Sequence, residues 1–119
     1  MLETLNGLTI WRLAAEGPAI GSSASASDLL GETHGLGIDV VVVPVARLEP
    51  ALLTLASGLA GEFIQKLQNY GLRLAFVGDI SALTSNSTPL ADFVRESNRH
   101  GQHVFAKDDA ELATLLRAR

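Results

Sequence analysis

The sequence predicts one α/β domain over residues 1–119, built on a mostly parallel β-sheet with an antiparallel amino-terminal edge. Residues 38–43 form a largely β-branched run, which is the pattern of a strand buried on both faces of a parallel sheet. Segments with helical periodicity alternate with strand-like segments along the rest of the chain, which predicts right-handed crossovers. Hydrophobic residues make up 47% of the chain and aromatic residues only 5%, so we expect an aliphatic core.

Five segments are predicted to be strands. Residues 8–13 alternate between apolar and polar side chains, as expected of the first strand. Glu16-Gly17-Pro18 predicts a turn, after which Ala19-Ile20 begins a short second strand that supplies the antiparallel edge. The three parallel strands that follow are residues 38–43, 72–77 and 102–105.

Four helices are predicted between and after the parallel strands. Polar capping residues mark three of their starts, at Ser25 or Ser27, at Thr88 and at Asp108, and the remaining helix is predicted to start at about Ala51 or Ser57. Their ends are predicted at Gly35, at Tyr70 and at Asn98, which tolerates the left-handed conformation of a helix terminus. The predicted order of elements is therefore β-β-α-β-α-β-α-β-α.

Composition excludes several classes of function. The net charge is -4 and no Lys/Arg cluster is present, which argues against a nucleic-acid surface. The chain has no Cys, which excludes disulfides, thiolate metal sites and Cys nucleophiles. The amino terminus lacks a signal-peptide pattern, and the longest apolar run is too short to cross a bilayer. We therefore expect a cytoplasmic protein that binds neither nucleic acid nor membrane.

Two polar loops are the candidate functional positions, because ligands of open α/β sheets bind beyond the carboxyl ends of the strands. Ser57 and Gly58 lie near a predicted helix start, where a phosphate or another anion gains backbone hydrogen bonds. N-capping by the Ser57 hydroxyl is the alternative interpretation. Asp79 and Ser81 directly follow a predicted strand, and the alternative there is a turn in which Asp79 bonds its own downstream backbone.

Other polar residues do not assemble a recognisable catalytic or metal site. Gly101 interrupts any helix between His100 and His103, so these histidines are predicted to be surface residues rather than metal ligands. No dinucleotide, P-loop, hydrolase-elbow or zincin motif is present. We therefore expect no metal and no cofactor, and these observations favour a non-enzymatic role while leaving a weak enzyme as the alternative.

The chain resembles an uncharacterised bacterial family that is known only as a domain of unknown function. The resemblance covers the chain from about residue 28 to its end and rests on six short stretches. They are residues 57–62, 65–66, 69–70, 77–79, 92–93 and 96–98, and they give the pattern GLAGE…QK…NY…VGD…DF…ESN. The family has no established activity, so this resemblance implies a shared fold and surface but no function.

A second resemblance is to STAS domains, the fold of anti-sigma-factor antagonists. The order of a strand, a loop, Ser57-Gly58-Leu59, a helix, Gly71 and another strand is similar to that family. In STAS domains a Ser or Thr at the corresponding helix start is phosphorylated by a partner kinase, and Ser57 matches that position. The residues just before it, 54–56, differ from the acidic and small polar residues usual in the family.

These observations lead to three hypotheses about function. The first is a non-enzymatic, STAS-like regulatory or protein-interaction domain that uses residues 57–62 and 79–87 and is controlled by phosphorylation or anion binding. The second is a small-ligand or anion-binding protein, or a weak enzyme, whose pocket lies between the loops at Ser57 and Asp79. Its further candidate pocket residues are Ser81, Asn98 and Glu62. The third is a homodimer whose surface only holds its subunits together.

Overall fold

The computed structural model describes residues 1–117, which form an α/β fold around one five-stranded sheet. The strands are β1 (Leu2–Leu5), β2 (Leu8–Arg12), β3 (Val40–Pro44), β4 (Arg73–Val77) and β5 (Val104–Ala106). The helices are α1 (Ser23–Thr33), α2 (Leu59–Gln68), α3 (Ser81–Ser85), α4 (Thr88–His100) and α5 (Asp109–Leu115). β1 and β2 are antiparallel and the other neighbours are parallel, which confirms the predicted fold class.

The antiparallel edge of the sheet is formed by β1 and β2, not by a strand at Ala19-Ile20 as predicted. β1 precedes β2, and the two strands are joined by Asn6-Gly7, with φ angles of 52° and 81°. Asn-Gly is the preferred pair for a tight hairpin turn because both central residues need a positive φ. The prediction of a strand at Ala19-Ile20 is wrong, since Ile20 makes only an isolated bridge to Leu48.

The strands lie in the sheet in their sequence order, β1-β2-β3-β4-β5. Right-handed crossovers between successive neighbours place every connecting helix on the same face. Apolar residues of α1, α2 and α4 accordingly pack in one cluster with Val41, Val43 and Phe76. On the opposite face, Leu112 of α5 and Leu116 just after it pack against Val40 and Val42. The predicted β-branched strand is therefore buried on both faces, as its pattern indicated.

Helix boundaries differ from the predictions by a few residues. Ser22, rather than Ser25 or Ser27, caps α1, and Ser87, rather than Thr88, caps α4. Residues 50–57 form two short 3-10 turns, so α2 begins only at Leu59. α4 continues past Asn98 and ends at Gly101, whose φ of 76° is the left-handed conformation that glycine adopts most easily. Among residues 1–117 no helix combines the length and the apolar character that crossing a bilayer requires.

Candidate functional site

The chain leaves β4 and β5 toward opposite faces of the sheet. β4 leads through α3 to α4, which packs on the face that carries α1 and α2, whereas β5 leads to α5 on the other face. Adjacent parallel strands whose connections diverge in this way leave a crevice beyond their carboxyl ends, where open α/β sheets bind ligands. The fold therefore places its switch point between β4 and β5.

A cavity of about 200 Å³ occupies this switch point, and we name it the switch crevice. The apolar side chains that line it are buried or partly buried, and the polar and charged ones are partly buried or exposed. The apolar residues are Ile80, Val94, Phe105 and Ala106, and the polar and charged residues are Asp79, Ser81, Thr84, Asn98, Lys107 and Glu111. The predicted residues Asp79, Ser81 and Asn98 thus line one cavity.

Asp79 forms the turn predicted for it at the entrance of α3. The Ser81 backbone N–H donates to Asp79 Oδ1 over 2.9 Å. Hydrogen bonding from the Ser81 backbone, then from its side chain, lowers the pKa of Asp79, and the positive charge of Lys107 adds to the effect. The Asp79 side chain is exposed, so it presents a fixed negative charge at the crevice.

Asn98 contributes a structural amide to the crevice wall. Its Nδ2 donates to the Phe105 carbonyl over 3.0 Å, and its Oδ1 accepts from the Phe105 N–H over 2.7 Å. β5 is the last strand of the sheet, and this side chain pairs the backbone groups that the edge would otherwise leave open. Asn98 therefore protects a sheet edge, a role that its position in a helix did not reveal.

A second concavity, of about 350 Å³, lies between the 3-10 turns and the start of α4, and we name it the leucine groove. One wall is formed by Leu53, Thr54, Leu55 and Ala56. The other wall is formed by Leu83, Asn86, Ser87, Pro89 and Leu90. Helix α3 is shared by both cavities, because Ser81 and Thr84 line the switch crevice while Leu83 lines the groove.

Ser57, Gly58 and Glu62 lie at the start of α2 and are not among the residues that line the switch crevice. The Ser57 hydroxyl donates to the Ala51 carbonyl over 2.6 Å and accepts from the Leu59 N–H over 3.2 Å. Gly58, with a φ of 77°, is the N-cap residue. Ser57 therefore closes the 3-10 segment and satisfies one amide of α2, but it is not the N-cap residue itself.

Lys66 contacts serines of α1 rather than Glu62, which lies four residues before it on α2. Lys66 Nζ lies 2.9 Å from Ser23 Oγ and 2.8 Å from Ser27 Oγ, so it ties α2 to α1. Glu62 stays exposed in the first turn of α2, where its negative charge complements the helix dipole. The Glu62 carboxylate is therefore available at the surface of the first turn of α2.

His103 is buried, so its prediction as a surface residue is wrong, whereas His100 is exposed as expected. The Leu74 N–H donates to His103 Nδ1 over 3.1 Å, which leaves the ring proton on Nε2, 2.9 Å from Gln68 Oε1. Burial, and secondarily the charge of Arg73, lowers the pKa of His103 to about 4. Among residues 1–117 no three His, Asp or Glu side chains are grouped so as to hold a metal ion.

Comparison with known proteins supplies a family but no activity. A family model described as "Domain of unknown function (DUF4180)" matches residues 5–116. No curated protein and no solved structure matches the chain. The STAS-like similarity and the cytoplasmic location stay predictions. The match covers most of the chain and confirms the predicted membership of a family of unknown function: the chain belongs to the DUF4180 family.

Proposed function

We propose that this protein is a non-enzymatic interaction domain that docks an amphipathic, basic segment of a partner protein in the leucine groove. The observation that carries the proposal is Leu83, which stays 46% exposed in a groove whose other wall also presents leucines. An apolar side chain of a partner helix would bury Leu83 together with Leu53 and Leu55. This is the helix-in-groove mode of peptide recognition.

The charges of the two chain segments that contain the groove residues support a basic partner. Residues 48–65 and 74–94 contain four carboxylates, Glu49, Glu62, Asp79 and Asp92, and no Lys, Arg or His. In the described residues 1–117, Asp92 pairs with Arg95, while Glu49 and Glu62 take part in no salt bridge. Opposite charges at the rim of an interface speed association and select the partner.

Arg47 and Lys66, the basic residues that flank residues 48–65, are hydrogen-bonded to other parts of the protein. Arg47 donates to the carbonyls of Ala14 and Pro18, over 3.0 and 2.8 Å. Lys66 contacts the serines of α1. The four carboxylates belong to the same two chain segments as the groove residues, although none of them lines the groove itself, and their charge supports a lysine- or arginine-flanked apolar segment as the occupant.

A matched pair of leucine substitutions tests the docking surface. Leu83 and Leu36 are each 46% exposed, and Leu36 lies far along the chain from the groove, in the loop after α1. We expect Leu83→Ser to weaken binding of a synthetic lysine–leucine amphipathic peptide about tenfold, as loss of an anchoring side chain does. Leu36→Ser should leave the affinity unchanged, as measured by fluorescence anisotropy.

The charge part of the proposal has its own control. A glutamate–leucine peptide of the same pattern should bind at least about tenfold more weakly than the lysine–leucine peptide at low salt, and the difference should shrink as salt is added. Equal affinity of the two peptides would overturn the basic-partner assignment. Equal affinity of wild type and Leu83→Ser would overturn the groove itself.

Control by phosphorylation at Ser57 belongs to the same proposal and is supported by the STAS resemblance and by the contacts of Ser57. A phosphate would remove the hydroxyl donor to the Ala51 carbonyl, a bond that closes the 3-10 segment whose residues 53–56 form one wall of the leucine groove. We expect Ser57→Ala and Ser57→Asp to weaken peptide binding about fivefold, equivalent to one lost hydrogen bond of about 1 kcal/mol. Unchanged affinity in both variants would contradict a switch at Ser57.

A second candidate function is small-ligand binding in the switch crevice. It is favoured by the coincidence of a cavity, a fixed carboxylate and a lysine with the switch point of the sheet. This version of the ligand hypothesis keeps Asp79 and Ser81 but leaves out Ser57 and Glu62. Asn98 lines the cavity, but its side-chain amide is hydrogen-bonded to the Phe105 backbone of β5.

A further inference from the structure

We propose that the ligand of the switch crevice is a small zwitterion with a short apolar side chain, such as an aliphatic amino acid; this rests on the second candidate function. The crevice combines three features that such a molecule would match. It offers a carboxylate at Asp79, an ammonium at Lys107 and an apolar inner surface at Val94 and Phe105.

The two charges come from different strands and flank the switch point. Asp79 follows β4, and Lys107 follows β5 directly. Hydrogen bonds from Ser81 are the main cause that lowers the pKa of Asp79, and the charge of Lys107 is the smallest one. No salt bridge joins Asp79 to Lys107 in the described residues 1–117, so their interaction is weak. A ligand ammonium at Asp79 and a ligand carboxylate at Lys107 would replace that interaction with two charge-assisted hydrogen bonds.

The remaining polar groups limit what else could bind. Glu111 Oε1 accepts from the Lys107 N–H over 3.1 Å, and Asn98 is bonded to Phe105, so both side chains are engaged within the protein. The carboxylates of Asp79 and Glu111 outnumber the single lysine, which disfavours a phosphate or another polyanion. A volume of about 200 Å³ admits a small molecule but not a nucleotide.

The aliphatic side chain would lie against an ordered apolar wall. Phe105 is buried and packs edge-to-face against Phe93 and stacked on Phe76, which fixes the inner surface before a ligand arrives. Val94 and Ile80 are partly buried, so they retain surface that a ligand could cover. Covering apolar surface supplies affinity, while the two charges set the orientation of the ligand.

Three probes that share an isobutyl group separate the contributions. They are L-leucine, 3-methylbutylamine, which lacks the carboxylate, and 4-methylpentanoate, which lacks the ammonium. Each is titrated into ¹⁵N-labelled full-length protein, and amide shifts at residues 78–81, 94 and 105–107 are followed. We expect leucine to bind at least about tenfold more tightly than either analogue.

Charge-removing substitutions assign each end of the ligand. Asp79→Asn keeps a side-chain oxygen for the turn and should weaken leucine and 3-methylbutylamine but not 4-methylpentanoate. Lys107→Met should weaken leucine and 4-methylpentanoate but not 3-methylbutylamine. Leu55→Ser, in the far wall of the leucine groove, should change none of these affinities.

The possible outcomes distinguish the ligand class from the site. If the three probes shift the crevice amides with equal affinity, the crevice binds ligands but the zwitterion assignment is wrong. If none of them shifts these amides up to its solubility limit, the second candidate function fails as well. Leucine binding that survives both Asp79→Asn and Lys107→Met unchanged would also overturn the proposal.

Discussion

Acidification from pH 6.5 to pH 4 is expected to remove about 3 kcal/mol of folding free energy through His103 alone. The unfolded chain binds a proton at the ordinary pKa of 6.5, whereas the folded chain binds it only near pH 4. The stabilisation is therefore complete above pH 6.5 and is lost as the pH falls toward 4. Burial is the main cause and the charge of Arg73 the second. In addition, a protonated Nδ1 would face the Leu74 N–H as a second donor.

Urea denaturation at several pH values measures this loss, and the other histidines supply the control. His34 is exposed, so His34→Gln should keep the acid-induced loss of stability that wild type shows. His103→Gln should be less stable at pH 7 and should show a smaller loss between pH 6.5 and 4. An NMR titration of wild type that gives His103 a pKa near 6.5 would contradict the expectation without any variant.

Phe76→Ala is expected to destabilise the fold by about 3–5 kcal/mol, the cost of a large cavity in a close-packed core. Phe76 lies in β4, an inner strand of the sheet, is fully buried and stacks on Phe105 with 4.8 Å between ring centroids. The rings continue to Phe93, whose centroid is 5.9 Å from that of Phe105. Losing Phe76 would also loosen the inner wall of the switch crevice.

Tyr70→Ala is the matched aromatic control for this prediction. The Tyr70 side chain is 71% exposed, so its removal should change the free energy of unfolding by less than about 0.5 kcal/mol. Both variants are measured by chemical denaturation at pH 7, where His103 is neutral. A loss below about 1 kcal/mol for Phe76→Ala would mean that Phe76 is not part of a close-packed core.

Local patterns account for most of the elements that could be predicted. The run at residues 40–43 indicated a strand buried on both faces, and its side chains do alternate between the two clusters of the core. Leu59, Phe63 and Leu67 recur every four residues, which is the spacing of one helix face, and they do lie on the inward face of α2, although Leu59 itself is only partly buried. Such patterns are readable because each element must bury one face or both.

One error missed a local signal, and the other arose where distant residues decide the structure. Residues 8–13 pair with Leu2–Leu5 rather than with Ala19-Ile20, although Asn6-Gly7 is a strong local signal for that hairpin. His103 is buried because Leu74 and Gln68, about thirty residues away, bond both nitrogens of its ring. Neither partner is visible in the sequence around His103.

The candidate site could be predicted only in part, because some of its residues follow a strand directly while other features depend on how distant elements pack. Asp79 and Ser81 follow a strand, and strand ends are where ligands of an open sheet bind, so their place at the edge could be anticipated. The crevice, in contrast, forms because α5 packs on the face of the sheet opposite to α4. Amino-acid composition does not show on which face α5 packs. The leucine groove also required the 3-10 turns, since a helix starting at Ala51 would have closed that wall differently.

The most direct test of the central claim is an amide chemical-shift map of the full-length protein with the lysine–leucine amphipathic peptide. If the leucine groove is the docking surface, the largest shifts should fall at residues 53–56 and 83–90 and disappear in Leu83→Ser. They should persist in Leu36→Ser. Shifts that instead cluster around residues 34–38, or that Leu83→Ser leaves in place, would contradict the assignment of this groove as the interaction site.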